Sequence, residues 1–227
     1  MSECMNRDNS EFLSPRRCMR EPIPEIFMAA ELLNQAADAH LAGDVERAGE
    51  LLTEADIPAL RLWTDSLWGS RKNHPNQWTY HRYRLTEGAP VHLARNMRIP
   101  VRMPTAAEKA KLIKMHGRHC AFCQIPLVRP EVRKAFHKWY PEVVPWGGAT
   151  HAQHAAFQGL WMQFDHLLPH SRGGDNSLEN LAVTCAGCNF GRMHWTLDEV
   201  GILDPRGRVR TVSSWDGLER VLVDRSA

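Results

Sequence analysis

The sequence predicts an α+β fold: a helical N-terminal region, then a smaller unit of two short strands and a helix. Three observations carry that expectation. Apolar residues recur at helical intervals between Pro24 and Trp68, two Cys-x-x-Cys pairs (Cys120/Cys123 and Cys185/Cys188) stand in the second half, and runs of strand length, 160–165 and 181–184, precede the second pair.

Residues 1–20 lack periodicity and contain Pro15, which predicts a flexible leader. From Pro24 onward, Ile26, Phe27, Ala30, Leu33, Ala37 and Leu41 keep helical spacing until Gly43-Asp44 interrupts it. Asp44 can cap a second helix bearing Val45, Ala48, Leu51, Leu52 and Ala55, and Pro58 to Trp68 continues as a third, so 21–70 reads as a helical hairpin region. No second copy appears at a period of about 34 residues, which argues against a solenoid array. Residues 71–104 read as an extended basic-aromatic linker, with short strands or extended chain. Within it Trp78, Tyr80, His81, Arg82, Tyr83 and Arg84 fit either a surface that stacks on nucleic acid or a half-buried strand.

Residues 105–227 form the last region. Thr105-Ala-Ala-Glu108 is a capping box for a helix to His116, stopped by Gly117. Residues 124–160 read as an insertion, with a basic helical segment from Pro130 to Tyr140 and a turn at Pro145-Trp-Gly-Gly148. A helix is expected from Asn189 onward, and Thr196-Leu-Asp-Glu199 is a second capping box.

A hydrophobic content of 43% with 24% charged residues is globular and excludes wholesale disorder, collagen and coiled coil. No basic segment followed by an apolar core opens the sequence, and no run of about 18 apolar residues occurs, so a soluble, cytoplasmic chain without membrane association is expected. The net charge of +2 hides a segregation. Residues 21–56 hold nine acids against Arg47 alone, whereas 95–138 hold eleven bases against Glu108 and Glu131. The basic run suits a polyphosphate ligand or is a solvated surface; the acidic helices could take a protein partner.

Without a secretion signal, paired Cys-x-x-Cys knuckles read as metal ligands rather than disulfides. Four thiolates, Cys120, Cys123, Cys185 and Cys188, suit a closed tetrahedral zinc that holds the fold, with a redox-active pair as the other reading of the motif. Cys4 and Cys18 are left as incidental free thiols.

The knuckles bracket Phe164-Asp165-His166-Leu-Leu-Pro-His-Ser-Arg172-Gly-Gly-Asp-Asn-Ser-Leu-Glu-Asn180-Leu-Ala-Val-Thr-Cys185-Ala-Gly-Cys188-Asn189. This pattern resembles the HNH endonuclease family over about 105–200, less the insertion. The resemblance implies a zinc-stapled ββα-metal (treble-clef-like) nuclease domain, and an endonuclease that hydrolyses DNA phosphodiester bonds, with RNA left open, to leave a 5′ phosphate. His166, with an ordinary pKa near 6.5, suits the general base. Asp165 and Asn189 offer hard oxygens to Mg²⁺ or Mn²⁺, which can polarise the phosphate and stabilise the leaving oxygen. Adjacent strand residues point to opposite faces, so β structure has to end or twist at Asp165-His166.

By the same resemblance Asn180 orients the loop and the His166 ring. Arg172 is either a phosphate clamp or a salt-bridge partner of Asp175 or Glu179. A third metal ligand of some relatives would fall at Met193, whose thioether suits a hard cation poorly, and His194 projects elsewhere. Of the other histidines, His151 and His154 permit a metal site by spacing, His170 could contact phosphate, and His119 reads as structural. The alternative function is a non-catalytic zinc-stapled module that binds nucleic acid or protein.

Overall fold

The computed structural model describes residues 15–68 and 83–223; Cys4, Trp78, Tyr80, His81 and Arg82 lie outside them. Helix α1 (Pro24–Leu41) starts with proline in its first turn, where a missing amide costs no helical bond. Asp44 caps α2 (Val45–Ala55) by accepting from the Arg47 amide at 3.0 Å. The α1–α2 hairpin buries alanines and leucines, among them Ala29, Leu33, Ala48 and Leu52. Helix α3 (Pro58–Trp68) follows and buries Leu60, Trp63 and Leu67.

Residues 15–20, expected in a loose leader, are packed instead. The Arg16 amide donates to Gly201 O at 2.8 Å, its carbonyl accepts from Leu203, and Cys18 and Met19 are buried. Met19 lies beside Gly191, so this stretch is held by apolar contact as well as by main-chain bonds. Cys18 is therefore a buried thiol, donating to Arg20 O at 3.3 Å, and burial pushes its pKa up. Residues 83–104 contain no strand; Tyr83 stacks on Trp195 at 3.9 Å, so this ring serves the fold.

Helix α4 (Ala106–His116) has the expected capping box, with Thr105 and Glu108 bonding each other's amides, and ends at Gly117 with φ 75°. Within 124–160 lie α5 (Pro130–Trp139) and α6 (Ala155–Gly159). Then β1 (Met162–His166) pairs antiparallel with β2 (Leu181–Cys185), in a register running from Met162↔Cys185 to His166↔Leu181. Helix α7 (Ala186–Arg192) starts directly after β2, three residues earlier than expected, because Cys185 caps it by accepting the Cys188 amide at 3.3 Å. The second capping box opens α8 (Leu197–Val200).

One buried cluster joins the helical region to the sheet. Helix α3 packs on α6 and α7. At Gly187 a Cβ would stand 2.9 Å from Leu67 Cδ1 and 3.0 Å from the Trp63 ring, so glycine is what admits α3 this close. The insertion docks on the same helices. Arg61 donates to Thr150 O and Gln153 O, Asp56 Oδ1 accepts the Ala155 amide, and the fully buried His154 bonds Leu52 O at 2.8 Å through Nε2. His154 is thus a core histidine and not a metal ligand, while His151 is exposed.

The four motif cysteines converge. Their sulfurs lie within 4.8 Å of one another, all buried, and Cys123 and Cys185 Sγ are 3.6 Å apart. Tetrahedral zinc with sulfur bonds of about 2.3 Å requires sulfur separations of about 3.8 Å, so the cluster fits that ion. The first knuckle turns tightly: Gln124 takes φ 63°, its amide donates to Cys120 O, and its side chain donates to Cys120 O and Ala121 O. The second knuckle is the β2–α7 junction, so one ion would join α4's exit, the sheet and α7.

Two predictions follow from this packing. Structural zinc contributes on the order of 10–16 kcal/mol, as much as a whole domain's stability. Elemental analysis should find one zinc per chain, and Cys188→Ser should lose both the ion and the cooperative unfolding transition; a variant that unfolds like wild type would contradict the staple. Burial lowers the pKa of His154 in the folded chain, with Asp56 opposing and Arg61 assisting. The unfolded chain then binds the proton more readily, so this part of stability is complete above pH ~6.5 and drains as pH falls below it. Tm should fall between pH 7.5 and 5.5, and fall less in His154→Gln, which keeps a donor but cannot titrate.

Candidate active site

Strand β1 ends at His166, and that ending resolves the opposed-face problem: Asp165 and His166 both line one cleft of about 830 Å³. Asn189 reaches the same cleft from the first turns of α7, and His170 and His194 are also among its polar lining. Asp165, His166 and Asn189 are therefore brought together, as the sequence pattern expects. Met193 is also at the rim, exposed, at φ 58°, where it closes α7.

The floor of the cleft is built on a side chain not singled out from the sequence. Arg192 is fully buried and grips Asp165 with both arms, Nε to Oδ2 at 3.1 Å and Nη2 to Oδ1 at 2.7 Å. It also donates to the carbonyls of His166 and Trp195 at 2.5 Å each, and to that of Leu167 at 3.4 Å. Its planar fork suits this bidentate hold, and the end of β1 is pinned to the end of α7 by it. Burial pushes the Asp165 carboxyl above its usual value, and the Arg192 charge opposes that push.

The His166 ring is oriented by Asn176. Asn176 Nδ2 donates to Val101 O at 2.9 Å, and a carbonyl can only accept, so the amide oxygen faces His166. His166 Nε2, 2.8 Å from that oxygen, must then carry the proton. The lone pair is left on Nδ1, the ring nitrogen then able to accept a proton. Burial holds the His166 pKa below 6.5, helped by the charges of His170 and Arg102, so the ring is neutral near pH 7.

Asn180, expected to orient both loop and ring, touches only the loop. It accepts the Leu168 amide at 2.8 Å and donates to Leu168 O and Asp175 O. The chain passes so close there that a Cβ on Gly174 would lie 1.8 Å from Leu168 O, which explains the second glycine of Ser-Arg-Gly-Gly.

Arg172 corrects a second expectation. It is buried and bonds Glu199 at 3.1 Å, not Asp175 or Glu179, and further donates to His194 O and Pro90 O. A guanidinium so engaged is a structural tie and is not free to clamp phosphate. Glu199 serves two partners at once, its Oε2 capping Thr196 and its Oε1 meeting Arg172. His170 likewise spends Nε2 on Ile99 O at 2.8 Å, and His119 lies 3.3 Å from Ser213 Oγ.

Three of these partners were missed from sequence: Arg192, Asn176 and Glu199. A faint signal existed for one. Arg192 stands three residues after Asn189, one helical turn on from a motif residue.

Searches of curated proteins and of solved structures gave no match. A family model described as HNH endonuclease matches residues 157–192, from the end of α6 through α7, and it is to the HNH endonucleases that this segment, with its cleft residues and second cysteine knuckle, is similar.

Proposed function

We propose that this chain is a metal-dependent endonuclease that hydrolyses DNA phosphodiester bonds. The observation that carries the reading is the convergence of Asp165, His166 and Asn189 on one cleft within the HNH match. A nuclease-type function and nucleic-acid binding follow from the match; DNA as substrate, Mg²⁺ or Mn²⁺ at the cleft and zinc at the cysteines are the finer parts of the proposal.

The donor set admits a hard cation. A carboxylate offers about four lone-pair sites; Arg192 uses one on each Asp165 oxygen and the His166 amide draws on another, which still leaves acceptor capacity for a cation. Asn189 supplies a carbonyl oxygen, and with the Asp165 carboxylate this makes a hard oxygen pair suited to Mg²⁺ or Mn²⁺. When bound, such an ion polarises a phosphate and stabilises the leaving oxygen. His166 Nδ1 takes the proton of the attacking water while Nε2 stays bonded to Asn176, which keeps the ring from turning. Arg192 holds Asp165 and the His166 carbonyl as one unit, so acceptor and base keep their separation.

The alternative, a non-catalytic binding module, draws on the same Arg192 contact, since a guanidinium already neutralises Asp165. Supercoiled plasmid separates the two readings. With Mg²⁺ or Mn²⁺, wild type should nick it, and His166→Ala should lower the rate by about 10²–10⁴-fold, the usual worth of a general base. Nicking unchanged in that variant would remove His166 from the mechanism, and no nicking by wild type would favour the binding module.

The role given to Arg192 predicts a stability effect as well. Arg192→Met leaves a buried carboxylate unpaired and should cost about 3–5 kcal/mol in urea unfolding. Adding Asp165→Asn should recover part of that loss, because the unpaired charge is gone; additive losses would show that the two side chains act independently.

A further inference from the structure

Residues 90–103 form a strap laid over the motif loop, outside the HNH match. It is tied down by four contacts from 170–176: Arg172 to Pro90 O, Ser171 O from the Leu93 amide, His170 to Ile99 O, and Asn176 to Val101 O. A short 3-10 turn at Arg95–Met97 and the Arg98 Nε bond to Leu93 O shape it further. The strap brings Arg95, Arg98 and Arg102 to the wall of the cleft that holds Asp165 and His166.

Most other bases of the 95–138 run are spent or point elsewhere. Arg118 and Arg129 both bind Glu219, and Arg133 is buried against the Trp146 ring at 3.7 Å. Lys134 and Lys138 lie exposed on α5, outside the cleft lining. By contrast, Arg95 and Arg102 are exposed, have no carboxylate partner among the described residues, and face a cleft whose single acid, Asp165, is neutralised by Arg192. Arginine presents several donors to phosphate oxygens, and a wall of uncommitted arginines beside a base fits a phosphodiester backbone.

We propose that the strap is the phosphate-binding wall of this site, with Arg95 and Arg102 contacting the backbone of a bound nucleic acid. Asn176 joins this wall to the chemistry, since one amide bonds both the strap at Val101 and the ring of His166. A backbone seated on the strap is thereby placed against a base already fixed in orientation. The proposal rests on the nuclease reading above.

Binding without cleavage tests it. The full chain is titrated against a fluorescent DNA duplex with Mg²⁺ and Mn²⁺ omitted, at several salt concentrations between about 50 and 200 mM. Each lost phosphate contact should flatten the slope of log K against log salt by about 0.9, so R95A/R102A should flatten it by about 2 and weaken binding on the order of tenfold per arginine near 0.1 M salt. R95K/R102K, which keeps the charge, should retain the wild-type slope. K134A/K138A, exposed and outside the cleft lining, should leave it unchanged. A slope in R95A/R102A equal to wild type, or an equal flattening in K134A/K138A, would overturn the strap's role while leaving the nuclease reading standing. A wild-type chain that binds no duplex would overturn both.

Discussion

The buried pair between Arg192 and Asp165 is the contact on which the rest of the site depends. One guanidinium closes the end of β1 against the end of α7, taking a carboxylate and three carbonyls. Removing charges from water is expensive, and such a pair persists where the other donors of the guanidinium are satisfied, as those of Arg192 are here by three carbonyls. The geometry that follows is narrow. Asp165 can turn neither toward solvent nor away from the cleft, His166 is held through its own carbonyl, and Asn189 is fixed because α7 is fixed.

At the other end of α7 stand Cys185 and Cys188, which with Cys120 and Cys123 form the sulfur cluster. The helix is thus secured twice within seven residues, by soft sulfur chemistry at its start and by a hard ion pair at its finish. That division keeps two kinds of donor apart: sulfurs gather on the buried side, whereas oxygens and imidazole line the cleft, so the two sets would suit different ions.

How much of this was legible in the sequence depended on the range of the interaction. Features that repeat or close within a few residues could be read: the Asp44 cap, both capping boxes, the Gly117 stop, the cysteine knuckles and the two strands. The convergence of Asp165, His166 and Asn189 could be read because the motif encodes it locally. Partnerships across distance left no pattern. Arg172 meets Glu199 twenty-seven positions away by number, and Asn176 meets Val101 from a segment with no regular structure. The packed state of Cys18 and Met19 was hidden for the same reason, since a short polar stretch carries no periodicity to announce what covers it.

The glycine at position 187 has a consequence for how this chemistry is carried. It lets Trp63 and Leu67 lie directly on the helix that bears Asn189 and Arg192, so part of that helix's support comes from residues far upstream of the family match. The segment 157–192 is therefore a signature without autonomy: cut free, it would present its apolar back to water and lose the packing that holds its cleft face. Inheritance of the short motif alone could not transplant the site; its portable unit is the motif together with the N-terminal helices that were built to fit the bare face of one small residue.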